Sequence, residues 1–128
     1  MAASEPGRSF GIFQVECEGE TLIITPRVDL GTLQYPLIET GSADIQQYLN
    51  DTSARNLVLD LQNTKYYGSA AIAFFITLWR HVKSHQGRMV LCNATNLEME
   101  ILKVIHFDTV WAVYPSRKEA VAAVNSGA

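Results

Sequence analysis

Apolar and polar positions change period several times along the chain, and each change marks an element. From Gly11 onward Phe13, Val15 and Cys17 fall on one side and Gln14, Glu16 and Glu18 on the other, the pattern of a strand with one face in water. It reads as an edge strand. Glu18, Gly19 and Glu20 form a tight reversal, and the run from Thr21 to Thr25 then completes a hairpin that ends at Pro26. Periodicity lapses between Arg27 and Gly41, where Gly31, Pro36 and Gly41 punctuate a long connection that is a candidate functional loop. Ser42 to Asn50 reads as a helix with Ile45 and Leu49 inward and Asp44 in its first turn.

The stretch from Leu57 to Trp79 organises the rest. Leu57, Val58, Leu59 and Leu61 make an apolar run broken only by Asp60, as in a strand covered on both faces. Ile72, Phe75, Ile76 and Trp79 then recur at helical spacing, and Gly68 and Ser69 sit at the change of period, which predicts Ser69 as the cap of that helix. Gln86 and Gly87 stop it, and Met89 to Cys92 supplies the next strand. Thr95 with Glu98 forms a capping box before a helix with Leu97, Ile101, Leu102 and Ile105 inward. Val110 to Tyr114, containing Trp111, reads as the last strand. Ser116 with Glu119 repeats the box before a short helix that buries Ala120, Val121 and Val124.

This order predicts an α/β fold: one domain over 10–125 with a mixed β-sheet, an N-terminal antiparallel hairpin and about four helices, preceded by a flexible N-terminal segment over 1–9. Strands separated by helices of this length run parallel through right-handed crossovers.

Composition narrows the function classes. A net charge of -3 without a basic run argues against direct nucleic-acid or anionic-lipid binding. With no bilayer-length apolar stretch and no signal-peptide pattern, the expected location is the cytoplasm. Cys17 and Cys92 lie far apart, outside any C-x-x-C spacing, and read as reduced, small apolar residues. His81 and His85 share a helix face, but no Cys or carboxylate motif completes a metal site, and a solvated face is the expectation. Ser69, His106 and Asp108 could be written as a triad, yet the nucleophile elbow is missing, and no phosphate-binding glycine loop is present. No catalytic residue and no cofactor is expected.

The element order together with the segment DLQNTKYYGSAAI resembles the STAS domain, a family that includes anti-sigma factor antagonists, stressosome subunits and the cytoplasmic ends of sulfate transporters. The likeness covers roughly Gly11 to Val124. Asp60 and Leu61 match the family's strand end, Tyr66 its apolar loop position, Ser69 the serine that a partner kinase phosphorylates, and Ile72 the buried residue that follows. Departures are equally specific. Gly68 stands where many members carry Asp, Ala70 and Ala71 replace a hydroxyl residue and a glycine, Asp29 keeps an aspartate whose accompanying glycine is missing, and His106 replaces the glycine of a later turn.

The resemblance implies a non-enzymatic regulator, anti-sigma factor antagonist-like, that binds an anti-sigma factor/serine kinase and is switched by phosphorylation of Ser69. Asp29, Lys65, Tyr66, Tyr67, Gly68, Ser69 and Ala70 are the expected partner-binding residues, with one tyrosine facing outward and the other inward. The alternative is an unphosphorylated module of the same fold that binds a small ligand or assembles, in a stressosome-like or lipid-trafficking setting. Self-association stays open.

Overall fold

The computed structural model describes residues 8–31 and 34–126, and the expected flexible segment therefore lies largely outside it. A six-stranded mixed sheet carries four helices in a single α/β domain, with the strands ordered as they occur in the chain. Strand β1 (Arg8–Phe10) pairs antiparallel with β2 (Phe13–Glu18), which pairs antiparallel with β3 (Thr21–Pro26). From β3 onward the strands are parallel: β4 (Asn56–Asp60), β5 (Met89–Cys92) and β6 (Val113–Tyr114). Helix α1 (Tyr35–Asp51) links β3 to β4, α2 (Ser69–Ser84) links β4 to β5, α3 (Asn96–Val104) links β5 to β6, and α4 (Arg117–Asn125) ends the order.

Alternation along the strands divides the core in two. The row Val15, Ile24, Leu59, Leu91 and Val113 runs across the sheet, beneath Ile38, Ile45 and Leu49 of α1, Phe74, Phe75 and Leu78 of α2, and Leu102 of α3. Ile23, Val58, Val90 and Cys92 face the other way and meet Ala120, Val121 and Val124 of α4. Three helices thus cover one face and one short helix the other. This is why β3 and β4 are buried throughout. Burial, and then the charge of Asp60, pushes the Cys92 thiol up to about 12, so it behaves as a small apolar side chain.

Several boundaries differ from expectation, each for a local reason. Arg8 and Ser9 belong to β1 rather than to a flexible end, and β1 makes β2 an interior strand, not an edge. Helix α1 starts at Tyr35, so the connection after β3 is far shorter than the sequence suggests, and Asp44 lies in mid-helix. The prolines and glycines there are helix features. Pro36 sits in the first turn, where its missing N–H is harmless, and Gly41 lets α1 close on the sheet, since a Cβ there would come within 2.5 Å of the Phe13 ring. The last strand is only two residues long, and Trp111, fully buried, precedes it in a turn. Leu97 is 52% exposed instead of inward, because Glu98 takes the buried position beside it.

Helix α3 closes with His106 at φ 64, while the N–H groups of His106 and Phe107 donate to the carbonyls of Lys103 and Leu102. This is a left-handed helix stop of the kind glycine fills without strain. His106→Gly is expected to raise stability by about 0.5–1 kcal/mol in urea denaturation, because the Cβ penalty exceeds the added unfolded-state entropy. No gain would mean that the imidazole holds the turn through contacts of its own.

Candidate functional site

Because β3, β4 and β5 are parallel and each is followed by a helix, α1, α2 and α3 all begin at the same end of the sheet. The loop after β4 lies among these three N-termini. It is fastened on both sides. On one, Asp29 Oδ1 accepts the Lys65 N–H at 2.5 Å, the Leu30 N–H donates to the Tyr66 carbonyl at 3.1 Å, and the Gly68 N–H donates to the Leu30 carbonyl at 2.8 Å. On the other, the Thr95 hydroxyl donates to the Lys65 carbonyl at 3.1 Å and the Thr64 hydroxyl to Glu98 Oε2 at 2.6 Å. Asp29 thus binds loop backbone, through Lys65.

The two tyrosines separate, one inward and one outward, as expected, and the structure shows which is which. Tyr67 is 1% exposed, stands edge-on to Phe75 at 5.3 Å and donates its hydroxyl to the Glu98 carbonyl at 2.8 Å. Its ring therefore cannot meet a partner, which corrects its place among the expected contact residues. Burial, and then the nearby Glu98 charge, raises its pKa far above the usual tyrosine range. Tyr66 is 43% exposed, with its ring beside Gly31. Lys65 and Asp29 are exposed as well.

Ser69 is not the cap. Gly68 is the N-cap of α2, Ser69 is the first helical residue, and no side-chain hydrogen bond caps the helix. Ser69 is exposed, beside N–H groups that have no partner within the helix. Gly68 has φ -101 and ψ -170, extended backbone that any residue adopts, so its glycine is not required by geometry. Gly68→Asp is expected to supply the missing cap and to add about 0.5–1 kcal/mol through the cap and helix dipole. Thermal denaturation tests this, and a loss of stability would reveal crowding at the turn.

The helix starts at the Ser69 end of the sheet carry exposed apolar side chains that sequence reasoning missed. Tyr35 and Leu37 at the start of α1 are 48% and 47% exposed, and Leu97 at the start of α3 is exposed too. Tyr35 and Leu37 were hidden by reading their segment as loop. The capping box fixes Glu98 inward at the third helical position, and that could have flagged Leu97 as outward. Ala70, half-buried, lines a shallow groove of about 330 Å³ between α1 and α2 with Tyr35, Glu39, Ala43 and Phe74.

Glu98 is fully buried. Burial raises its pKa above the usual carboxylate value, against the opposing effect of hydrogen bonds from Thr64 and Thr95. Elsewhere, His81 and His85 stack at 4.5 Å, and among the described residues no group of three potential metal ligands occurs. His106 follows the far end of α3, away from the loop that carries Ser69. No helix among the described residues is long and apolar enough to cross a membrane.

Comparison with known proteins gives a consistent result. The STAS domain family model matches residues 14–120. BtrV of Bordetella bronchiseptica, named as a candidate anti-sigma factor antagonist, is 30% identical over 73 residues, which span 57% of this chain and 63% of that protein, under two thirds of its length. An anti-sigma-factor antagonist (STAS) domain protein from Planctomyces limnophilus superposes with a TM-score of 0.74 at 25% identity, covering 88% of this chain and 97% of that one. SpoIIAA of Bacillus in its phosphorylated form gives a TM-score of 0.70 at 18% identity over 88% of this chain and 98% of that one, a likeness of fold.

Proposed function

The chain belongs to the STAS domain family, and from that premise we propose that it is an anti-sigma factor antagonist-like regulator without enzymatic activity. It binds an anti-sigma factor/serine kinase through the Ser69 end of α2, and phosphorylation of Ser69 releases that partner. The observation that carries this reading is Ser69 itself: exposed, first in its helix and without a capping duty. A phosphate there meets free backbone donors and the positive end of the helix dipole, so the fold tolerates it. The same charge repels an acidic partner and wets the end of the sheet that exposes Tyr35, Leu37, Tyr66 and Leu97. Names carried by relatives, among them BtrV and the Planctomyces limnophilus STAS domain protein, support the partner class.

A second reading, an unmodified assembly or ligand-binding module, is favoured by Gly68, which leaves no carboxylate beside the serine to engage a kinase. Phosphopeptide mass spectrometry across Tyr66 to Arg80, on protein from its own cells with and without stress, separates the two. Condition-dependent phosphate on Ser69 supports the switch, and a peptide that is never modified supports the module. In binding assays with a captured anti-sigma factor, Ser69→Asp is expected to weaken the complex on the order of 100-fold, since like-charge juxtaposition costs several kcal/mol. Ser69→Ala should retain it. Both variants binding like the parent would end the switching reading.

A further inference from the structure

Glu98 does more than cap α3. Its carboxylate accepts the Thr95 N–H at 2.9 Å and the Thr64 hydroxyl at 2.6 Å, and its backbone carbonyl accepts the Tyr67 hydroxyl at 2.8 Å. Thr95, whose side chain completes the box with Glu98, also holds the Lys65 carbonyl. One buried residue therefore connects to the loop at Thr64 and Tyr67 directly, and at Lys65 through Thr95. On the opposite side the Leu30 backbone holds Tyr66 and Gly68, while at Lys65 the Asp29 bond to the N–H is exposed to water, where exchange with solvent weakens the hold of a hydrogen bond. At Thr64 and Lys65 the Glu98 side carries more of it.

We propose that Glu98 is the positioning residue of the docking loop: out of reach of any partner, it fixes the backbone from Thr64 to Tyr67 and so the placement of Tyr66 and Ser69. The purpose of this hold rests on the proposed docking function, but the hold itself does not. A carboxylate kept in an apolar interior is otherwise costly, and a neutral residue could fill the same space. Here the hydrogen bonds from Thr64 and Thr95 offset that cost and tie the residue to the loop.

Trypsin provides the test, because Lys65 is a cleavage site whose N–H and carbonyl are both engaged. In native-state digestion of the full chain read by mass spectrometry, Glu98→Ala is expected to speed cleavage after Lys65 at least about tenfold. Cuts after Arg80 and Lys83, both on α2, should stay at the parent rate. Glu98→Gln keeps an acceptor for the Thr95 N–H, and its amide can donate to the Thr64 hydroxyl, whose own proton then goes to the Leu61 carbonyl 3.2 Å away; the rate should return to within about threefold of the parent. Thr64→Val, which removes one of the bonds, should give a smaller acceleration and serves if Glu98→Ala does not fold. Equal cleavage of parent and variants after Lys65 would overturn the proposal, as would acceleration shared equally by every site. If Ser69→Asp bound its partner like the parent while this protection pattern held, control of docking through Ser69 would fall and the role of Glu98 in fixing the loop would stand.

Discussion

Arg117→Ala is expected to cost the fold about 3–5 kcal/mol in chemical denaturation, the range for stranding a buried charge. Asp60 has no exposed side-chain surface, and Arg117 Nε donates to its carboxylate at 2.8 Å. The same guanidinium reaches Glu16 at 2.9 Å and the Thr25 hydroxyl at 2.9 Å. Burial works against the Arg117 charge, but hydrogen bonds to Asp60 and Glu16 outweigh it and hold its pKa above the ordinary value. Asp60 also accepts from the Gln62 N–H, the Gln62 amide and the Asn93 amide, so the variant would leave a partly solvated carboxylate beneath α4. Adding Asp60→Asn should recover part of the loss, because the stranded charge disappears with it. A loss below about 1 kcal/mol in the single variant would show that these amides suffice for Asp60.

Gly87→Ala is expected to cost about 2–4 kcal/mol for a steric reason. A Cβ at that position would stand 1.6 Å from the Arg55 carbonyl oxygen and 2.6 Å from its carbon, and backbone atoms cannot rotate aside as a side chain could. The stop of α2 depends on the same spot: Gln86 takes φ 61, and the Gly87 N–H donates to the Val82 carbonyl at 2.7 Å. Gly11→Ala is the control. Gly11 has φ 63 but nothing within 4 Å of an added Cβ, so it should lose only about 1–2 kcal/mol from backbone strain. Similar losses in urea titration of the two variants would refute the steric account.

Position 87 also shows what a sequence can and cannot convey. That Gln86 and Gly87 end a helix is local information, carried by residue type. That the glycine is needed for the chain before β4 to pass beneath it is not. The same division runs through the molecule. Periods held over a strand or a helix, as in Thr21 to Thr25 or Ile72 to Trp79, placed the elements of the sheet and the helices over it. Pro36 and Gly41 misled because a proline in a first turn and a glycine pressed on Phe13 look, in one dimension, like loop punctuation. At the site, the strand, loop and serine were legible. The inward turn of Tyr67 and the reach of Glu98 were not, since each depends on residues 30 or more positions away in sequence, as with Glu98 to Tyr67 and to Thr64.

Strand order that equals chain order also bears on synthesis. Each strand finds its neighbour already made, beginning with the hairpin of β1 and β2, so the sheet can be extended one strand at a time as the chain leaves the ribosome, without waiting for a later strand to be inserted. The exception comes last. Arg117 meets Glu16, Thr25 and Asp60 across 101, 92 and 57 positions, so a nascent chain holds Asp60 without its guanidinium partner, on an open sheet face, until α4 emerges. The closing helix makes translation of the whole domain the condition for its stability.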